Sequence, residues 1–201
     1  ATSNLSVRLE EGGLVLRKSS IEPFGQSAGA RSDWVLSTQA LWTDDSTLQP
    51  CPYKSNVNGT VTTVRRVRVS DAWTASFTFL FGQRTVKPAE AFCFFLHNDP
   101  RGPGYSAGNT SMAGFEGMAN SIGLRWFFYP DYANTESLIL GRNGAWVGSY
   151  QKHTPIAFTN GPTDIVLSYN PGTTTLTSVM KQGALCVTNS FTDVDIPAQV
   201  K

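Results

Sequence analysis

The chain has 201 residues and a formal net charge of +1 at pH 7, with 15% charged residues against about 25% in typical globular proteins. This balance argues against nucleic-acid binding, which depends on clustered lysine and arginine side chains. No apolar run approaches the ~20 residues that a membrane-spanning helix needs, and the length suits a single domain over residues 1–201.

Strand patterns recur along the chain, whereas helical periodicity is scarce. The segments GLVLR (13–17) and DWVLSTQALW (33–42) are the first strand signals. Within AWTASFTFLF, every second residue from Trp73 to Phe81 is apolar and the residues between them include Thr74, Ser76 and Thr78, which predicts a half-buried strand.

Two later segments complete the predicted fold. AFCFFL (91–96) is apolar on both faces and predicts a central strand that is covered on each side. TDIVLSYNPGTTTLTSVM predicts a hairpin that turns at residues 170–172. The predicted fold is therefore all-β, with two packed antiparallel sheets.

The three cysteines, Cys51, Cys93 and Cys186, fit neither a metal-binding spacing nor an even disulfide framework. Cys93 lies inside AFCFFL and is interpreted as a small buried hydrophobic residue; if any bridge forms, Cys51 with Cys186 is the favoured pair. Three triplets match the N-glycosylation acceptor, NLS at Asn4, NGT at Asn58 and NTS at Asn109. These triplets favour a secreted glycoprotein, in the secretory pathway or at the cell surface.

Candidate catalytic groups are few. GYSAG around Ser106 matches the nucleophile pattern of some hydrolases, but no helix signal follows it, which favours a glycine-rich loop. His97 and His153 lack partners at metal-ligand spacing, and His97 fits the end of its strand. A carboxylate pair for sugar hydrolysis stays open, with solvated loop acids as the alternative. The candidate acids are Glu90, Glu116, Asp131 and Glu136.

Four segments together resemble the L-type lectins, the legume-lectin-like family with a concanavalin A-like jelly roll. DAWTASFTFLF resembles a family strand of the type SFxTxFxF, and AEAFCFFLHNDPRGPGYSAG resembles the stretch ADGFAFxxQNDPRGxxALG of bacterial members. AGFEGMANSIGLRWFFYPD resembles GxLGYxGIxNSxAVEFDTYxN, and the late hairpin also has a family counterpart. The run from Ala89 to Asp131 is the specific part, because the order and spacing of its motifs agree.

The resemblance implies a non-enzymatic glycan-binding domain. The implied carbohydrate-binding positions are Glu90, Ala113, Gly114, Asp131 and Asn134. In the family, a Glu and an Asp of the strand that matches LRWFF hold Mn²⁺ and Ca²⁺, but here Arg125 and Phe127 stand at those positions. A guanidinium repels a divalent cation and an aromatic ring offers it no oxygen, so no metal cofactor is expected.

Two alternatives follow for this region. Arg125 is expected to hold Glu90 through a bidentate pair, in place of calcium. In the other case the sugar-binding site of the family has been lost, and aromatic side chains occupy its place. The lapsed site implies a structural or assembly subunit, and a glycoside hydrolase or lyase on the same fold is a further alternative.

The expected partners are glycans or glycoproteins and a second polypeptide. In the family, the segment that resembles VDIPAQV leads into a last strand of the type VGFSA, which the sequence does not contain before its final residue, Lys201. An open sheet edge recruits another strand. We therefore expect the final strand to come from another chain, either the rest of a cleaved precursor or an oligomer partner.

Overall fold

The computed structural model describes residues 5–10, 13–17, 21–22, 31–42, 47–49, 59–64, 68–79, 91–105, 114–127 and 136–201. In chain order these residues form strands β1 (Leu5–Glu10), β2 (Gly13–Arg17), β3 (Ile21–Glu22), β4 (Trp34–Thr38), β5 (Leu41–Trp42), β6 (Thr47–Gln49), β7 (Gly59–Thr63), β8 (Trp73–Phe79), β9 (Ala91–His97), β10 (Ser121–Phe127), β11 (Ser137–Arg142), β12 (Ala145–Lys152), β13 (Thr163–Asn170), β14 (Thr175–Gln182) and β15 (Leu185–Phe191), and the short helix α1 (Ile196–Gln199).

Within these ranges the strands form two main sheets and one separate pair. The larger sheet has the order β15-β14-β13-β8-β1-β2-β6-β5, with β3 also paired to β8, and the smaller sheet has the order β12-β11-β10-β9. β4 pairs with β7. The described strand pairs are antiparallel except for β1 with β8. The predicted all-β architecture of antiparallel sheets is confirmed.

The core between the two sheets is rich in aromatic side chains. Alternate residues of β8, from Trp73 to Phe79, are buried, as the sequence pattern predicted. The Phe77 ring lies 5.6 Å from the ring of Phe92 on β9 and meets Trp126 of β10 edge-on at 6.1 Å. These contacts join the larger sheet to the smaller one, so the two sheets form a sandwich.

The predicted C-terminal hairpin is β13 with β14. Its core-facing side chains are buried on both strands, including Ile165, Leu167 and Tyr169 on the first. The turn occupies residues 171–174, where the side-chain oxygen of Asn170 accepts a hydrogen bond of 2.9 Å from the backbone N–H of Gly172. This bond closes the Asx turn that the Asn-Pro-Gly run predicts.

β9, the strand predicted at residues 91–96, lies at the end of the strand order that the described residues form, and its predicted central place stays a prediction. β9 ends the four-strand order and all seven of its residues are half-buried, whereas every residue of β10 is buried. The two apolar faces of β9 pack against different parts of the protein. Phe92 and Phe94 pack against the core, while Phe95 on the other face has its ring 6.5 Å from that of Phe115.

Some predictions fall on residues that the structure does not describe. They concern the acceptor sites at Asn4, Asn58 and Asn109, the nucleophile candidate Ser106, Phe81, and Cys51 as a bridge partner. Cys93 and Cys186 are free thiols. Among the described residues, no helix is both long enough and apolar enough to cross a membrane.

Candidate functional site

The outer face of the smaller sheet, which is turned away from the larger sheet, carries the candidate site. Leu124 and Trp126 of β10 belong to the core between the sheets. Because side chains alternate along a strand, Gly123, Arg125 and Phe127 lie on the outer face. Trp126 therefore faces the core, and Arg125 faces away from it.

A loop of residues 114–120, here called the covering loop, folds over the outer face. Its residue Phe115 is fully buried and stacks on Trp146 of β12, with ring centroids 4.9 Å apart. Gly123 and Gly141 are paired neighbours on β10 and β11. A Cβ added at Gly123 would lie 2.8 Å from the Phe115 ring, and one at Gly141 would lie 2.5 Å from it. The two glycines therefore create the space that Phe115 occupies.

Arg125 lies beside this aromatic cluster, and 5% of its surface is exposed. Its guanidinium carbon lies 4.5 Å from the ring centroid of Phe127 and 5.4 Å from that of Trp146, which is a cation–π arrangement. Divalent cations of the calcium type bind hard oxygen ligands, which the side chains at positions 125 and 127 lack. In the described ranges, no group of three or more His, Cys, Asp and Glu residues could hold a metal ion. The described side chains of this face do not fit the metal pair that the family implies.

Of the five predicted carbohydrate-binding residues, the structure describes Gly114, which is buried and begins the covering loop. The φ angle of Gly114 is 77°, in the left-handed region that favours glycine. The other four, Glu90, Ala113, Asp131 and Asn134, lie outside the described residues. The neighbour of Glu90, Ala91, pairs with Phe127 on β10, two residues from Arg125. The pairing of Glu90 with Arg125 stays a prediction.

Two of the four candidate acids for hydrolysis are described, Glu116 and Glu136. Glu116 is exposed on the covering loop, and Glu136 is half-exposed just before β11. The backbone carbonyl of Glu136 accepts a hydrogen bond of 2.8 Å from the backbone N–H of His153. The predicted carboxylate pair is untested, because Glu90 and Asp131 are not described.

Asp99, which the sequence reasoning missed, ties the covering loop to the turn that follows β9. Its side chain is fully buried, although the guanidinium-bearing side chain of Arg101 beside it is 47% exposed. The Asp99 carboxylate accepts hydrogen bonds from the backbone N–H of Arg101 at 2.9 Å, from its Nε at 2.7 Å and from its Nη2 at 2.6 Å. A fourth bond of 2.6 Å comes from the backbone N–H of Ala119 in the covering loop.

These bonds determine the charge state of Asp99. The hydrogen bonds from the Arg101 side chain, aided by the backbone N–H groups of Arg101 and Ala119, hold the pKa of the Asp99 carboxyl well below its usual range. The Asp99 carboxylate therefore stays ionised in the folded protein at ordinary pH. The signal in the sequence was NDPRG, an acid two residues before an arginine in a proline-containing turn.

His97 and His153 have structural contacts. His97 is the last residue of β9, and its Nδ1 accepts a hydrogen bond of 3.3 Å from the backbone N–H of Asp99, as its predicted place at the strand end suggests. His153 is fully buried, with Nδ1 3.0 Å from the carbonyl of Ile156 and its ring edge-on to Phe158. Burial lowers the pKa of His153 to about 4. The ring is therefore neutral, with its proton on Nδ1.

The sequence matches no protein-family model, and no curated protein sequence is significantly similar to it. Solved structures do resemble the fold. Lectin II from Ulex europaeus superimposes with a TM-score of 0.68 at 15% identity, covering 96% of this chain and 86% of the lectin. The winged bean acidic lectin, in complex with methyl-α-D-galactose, gives 0.64 at 16% identity, with coverages of 86% and 80%.

Arcelin-5, a lectin-like defense protein from Phaseolus vulgaris, gives a TM-score of 0.60 at 12% identity and covers 84% of this chain and 79% of its own. Identities this low establish the fold and leave the chemistry of the site to be argued from its residues. The chain therefore has the jelly-roll β-sandwich fold of the legume lectins.

Proposed function

We propose that this chain is a carbohydrate-binding, lectin-like domain that works without a metal ion and is not an enzyme. The likeness of its sandwich to legume lectins supports carbohydrate binding. The winged bean lectin of this fold was solved with methyl-α-D-galactose, so galactosides are the first sugars to test.

The packing of Arg125 carries the proposal of metal independence. Its guanidinium lies against the rings of Phe127 and Trp146, on the strand that matches the metal-binding strand of the family. A cation at this point would meet a fixed positive charge and aromatic carbon. We propose that Arg125 instead supplies the local positive charge and holds the carboxylate of Glu90.

The proposed sugar site lies at the covering loop. Gly114 and Ala113 would offer backbone groups to sugar hydroxyls, and Glu90, Asp131 and Asn134 would offer side-chain oxygens and amide groups. A shallow site of this kind gives weak affinity for each sugar, so binding through several copies is expected. The proposal includes a second polypeptide or an oligomer partner that completes the sheet, and a secreted or cell-surface location.

A glycan array with and without EDTA tests the function. Binding of at least one glycan that is unchanged by EDTA supports the proposal. Binding that EDTA abolishes and Ca²⁺ restores contradicts metal independence. If no glycan binds, the structural or assembly role with a lapsed site is the better account, and hydrolysis of the bound glycan would instead identify an enzyme.

A further inference from the structure

We propose that Asp99 and Arg101 are positioning residues, a buried carboxylate and its arginine that hold the covering loop, and with it the backbone of Gly114, in the geometry that receives a glycan. This inference rests on the proposed function for its last step. The first step, that the pair holds the loop, stands on contacts of the described residues.

The pair joins two segments that are apart in the sequence. Asp99 accepts from the backbone N–H of Ala119, and Nη2 of Arg101 donates to the backbone carbonyl of Gly117 at 2.5 Å. Both ends of the ion pair therefore bind the backbone of the covering loop, one at a donor and one at an acceptor. Charged hydrogen bonds are the stronger ones, and the buried carboxylate has its acceptor positions filled by these partners.

A second set of contacts extends the same attachment. The guanidinium carbon of Arg101 lies 3.4 Å from the ring centroid of Tyr105, and the Tyr105 hydroxyl donates to the carbonyl of Glu116 at 3.0 Å. Asn98 and Asn120 exchange hydrogen bonds, from the Asn98 backbone N–H at 2.9 Å and from Nδ2 of Asn120 at 3.2 Å. The turn of residues 98–105 thus binds the covering loop at four of its residues, Glu116, Gly117, Ala119 and Asn120.

The far end of the covering loop is fixed by packing. Phe115 fills the space above Gly123 and Gly141, and it follows Gly114 directly. The loop is therefore held by an apolar contact at Phe115 and by the ion pair at Gly117 and Ala119. These contacts restrict the backbone from Phe115 to Ala119. Because Gly114 is joined directly to Phe115, the side of Gly114 that adjoins the loop is preorganised before a ligand arrives, which lowers the entropic cost of binding.

The test compares variants of the pair with a matched surface pair. Asp99→Asn keeps the shape of the side chain and removes its charge. Arg101→Lys keeps the positive charge and removes the planar guanidinium with its paired N–H donors, and Tyr105→Phe removes one hydroxyl. The control is Asp71→Asn, because Asp71 pairs with Arg68 at 3.7 Å where both side chains are mostly exposed. Thermal unfolding and circular dichroism establish that each variant is folded before it is used.

The first readout is amide hydrogen exchange of the covering loop. In Asp99→Asn we expect exchange there to accelerate by about tenfold or more, which corresponds to about 1.4 kcal/mol less free energy of local opening. Arg101→Lys should give a smaller acceleration, Tyr105→Phe the smallest, and Asp71→Asn none. Unchanged exchange in both Asp99→Asn and Arg101→Lys would overturn the inference.

The second readout is affinity for the array glycan with the strongest wild-type signal, with methyl-α-D-galactoside as a named sugar. A positioning role predicts weaker binding by the folded Asp99→Asn protein, partly retained in Arg101→Lys. Lowered thermal stability with unchanged affinity would reduce the pair to a structural role and overturn the last step. If the wild type binds no glycan, the proposed function fails, and the exchange data alone decide whether the pair holds the loop.

Discussion

Replacing Gly123 by alanine is expected to destabilise the protein by about 1–3 kcal/mol, the usual range for overpacking a filled core. The added Cβ would lie 2.8, 3.0 and 3.1 Å from three carbons of the Phe115 ring, closer than ordinary van der Waals contact. The ring cannot easily move away, because Phe115 is fully buried and stacks on Trp146.

The cost should depend on Phe115 being present. Phe115→Ala alone is expected to cost about 3–5 kcal/mol, as for other buried phenylalanines. In that background the methyl of Gly123→Ala enters vacated space, so the double variant should be more stable than the sum of the single effects implies, by about 1–2 kcal/mol. Phe115→Leu provides a milder version of the same cycle.

Urea unfolding of the four proteins, with a check that the m-values agree, measures this coupling. Gly172→Ala serves as the control, because its Cβ would meet the side chain of Asn170 in the β13–β14 turn and lies in a different part of the fold. The control should be additive with Phe115→Ala. If the effects of Gly123→Ala and Phe115→Ala on the free energy of unfolding add to within about 0.5 kcal/mol, the packing of Phe115 against Gly123 on the outer face is refuted.

Three further predictions concern single residues. As pH falls from 6.5 towards 4, the free energy of unfolding should drop by about 3 kcal/mol more in the wild type than in His153→Asn, because the unfolded ring takes up a proton before the buried one does. Urea unfolding at several pH values measures this difference, and an equal drop in both proteins would contradict it. Gly114→Ala should cost about 1–2 kcal/mol, since its φ of 77° is strained for alanine, and an unchanged urea midpoint would count against that backbone conformation. Brief iodoacetamide treatment, mapped by mass spectrometry, should label the exposed Cys186 well before Cys93, because burial raises the pKa of the Cys93 thiol. Equal labelling of the two cysteines would contradict the burial of Cys93.

The strands with one wet face could be predicted from the sequence. In β8 the apolar residues alternate with Thr and Ser, and the structure buries alternate residues. β10 could not be oriented in this way, since every residue of SIGLRWF is buried. Periodicity carries no information when both faces are covered, so only the structure separates Trp126 in the core from Arg125 on the outer face.

The contacts of the candidate site were harder to predict. Gly123 and Gly141 contribute by lacking side chains, and no sequence pattern shows that the Phe115 ring from another segment fills that space. Asp99 and Ala119 are also far apart in the chain, and their bond depends on how the turn after β9 meets the covering loop. Such long-range contacts arise from the tertiary fold, which local sequence reasoning does not supply.

Thermal unfolding of chelator-treated protein, before and after addition of CaCl₂ and MnCl₂, tests the central claim most directly. We predict an unchanged melting temperature, because a divalent cation beside Arg125 would meet a positive charge and the aromatic rings of Phe127 and Trp146 in place of hard oxygen ligands. A metal present at a hundred times its Kd would stabilise the fold by about 2.7 kcal/mol. A rise in melting temperature that corresponds to a stabilisation of that size, and that EDTA reverses, would contradict metal independence.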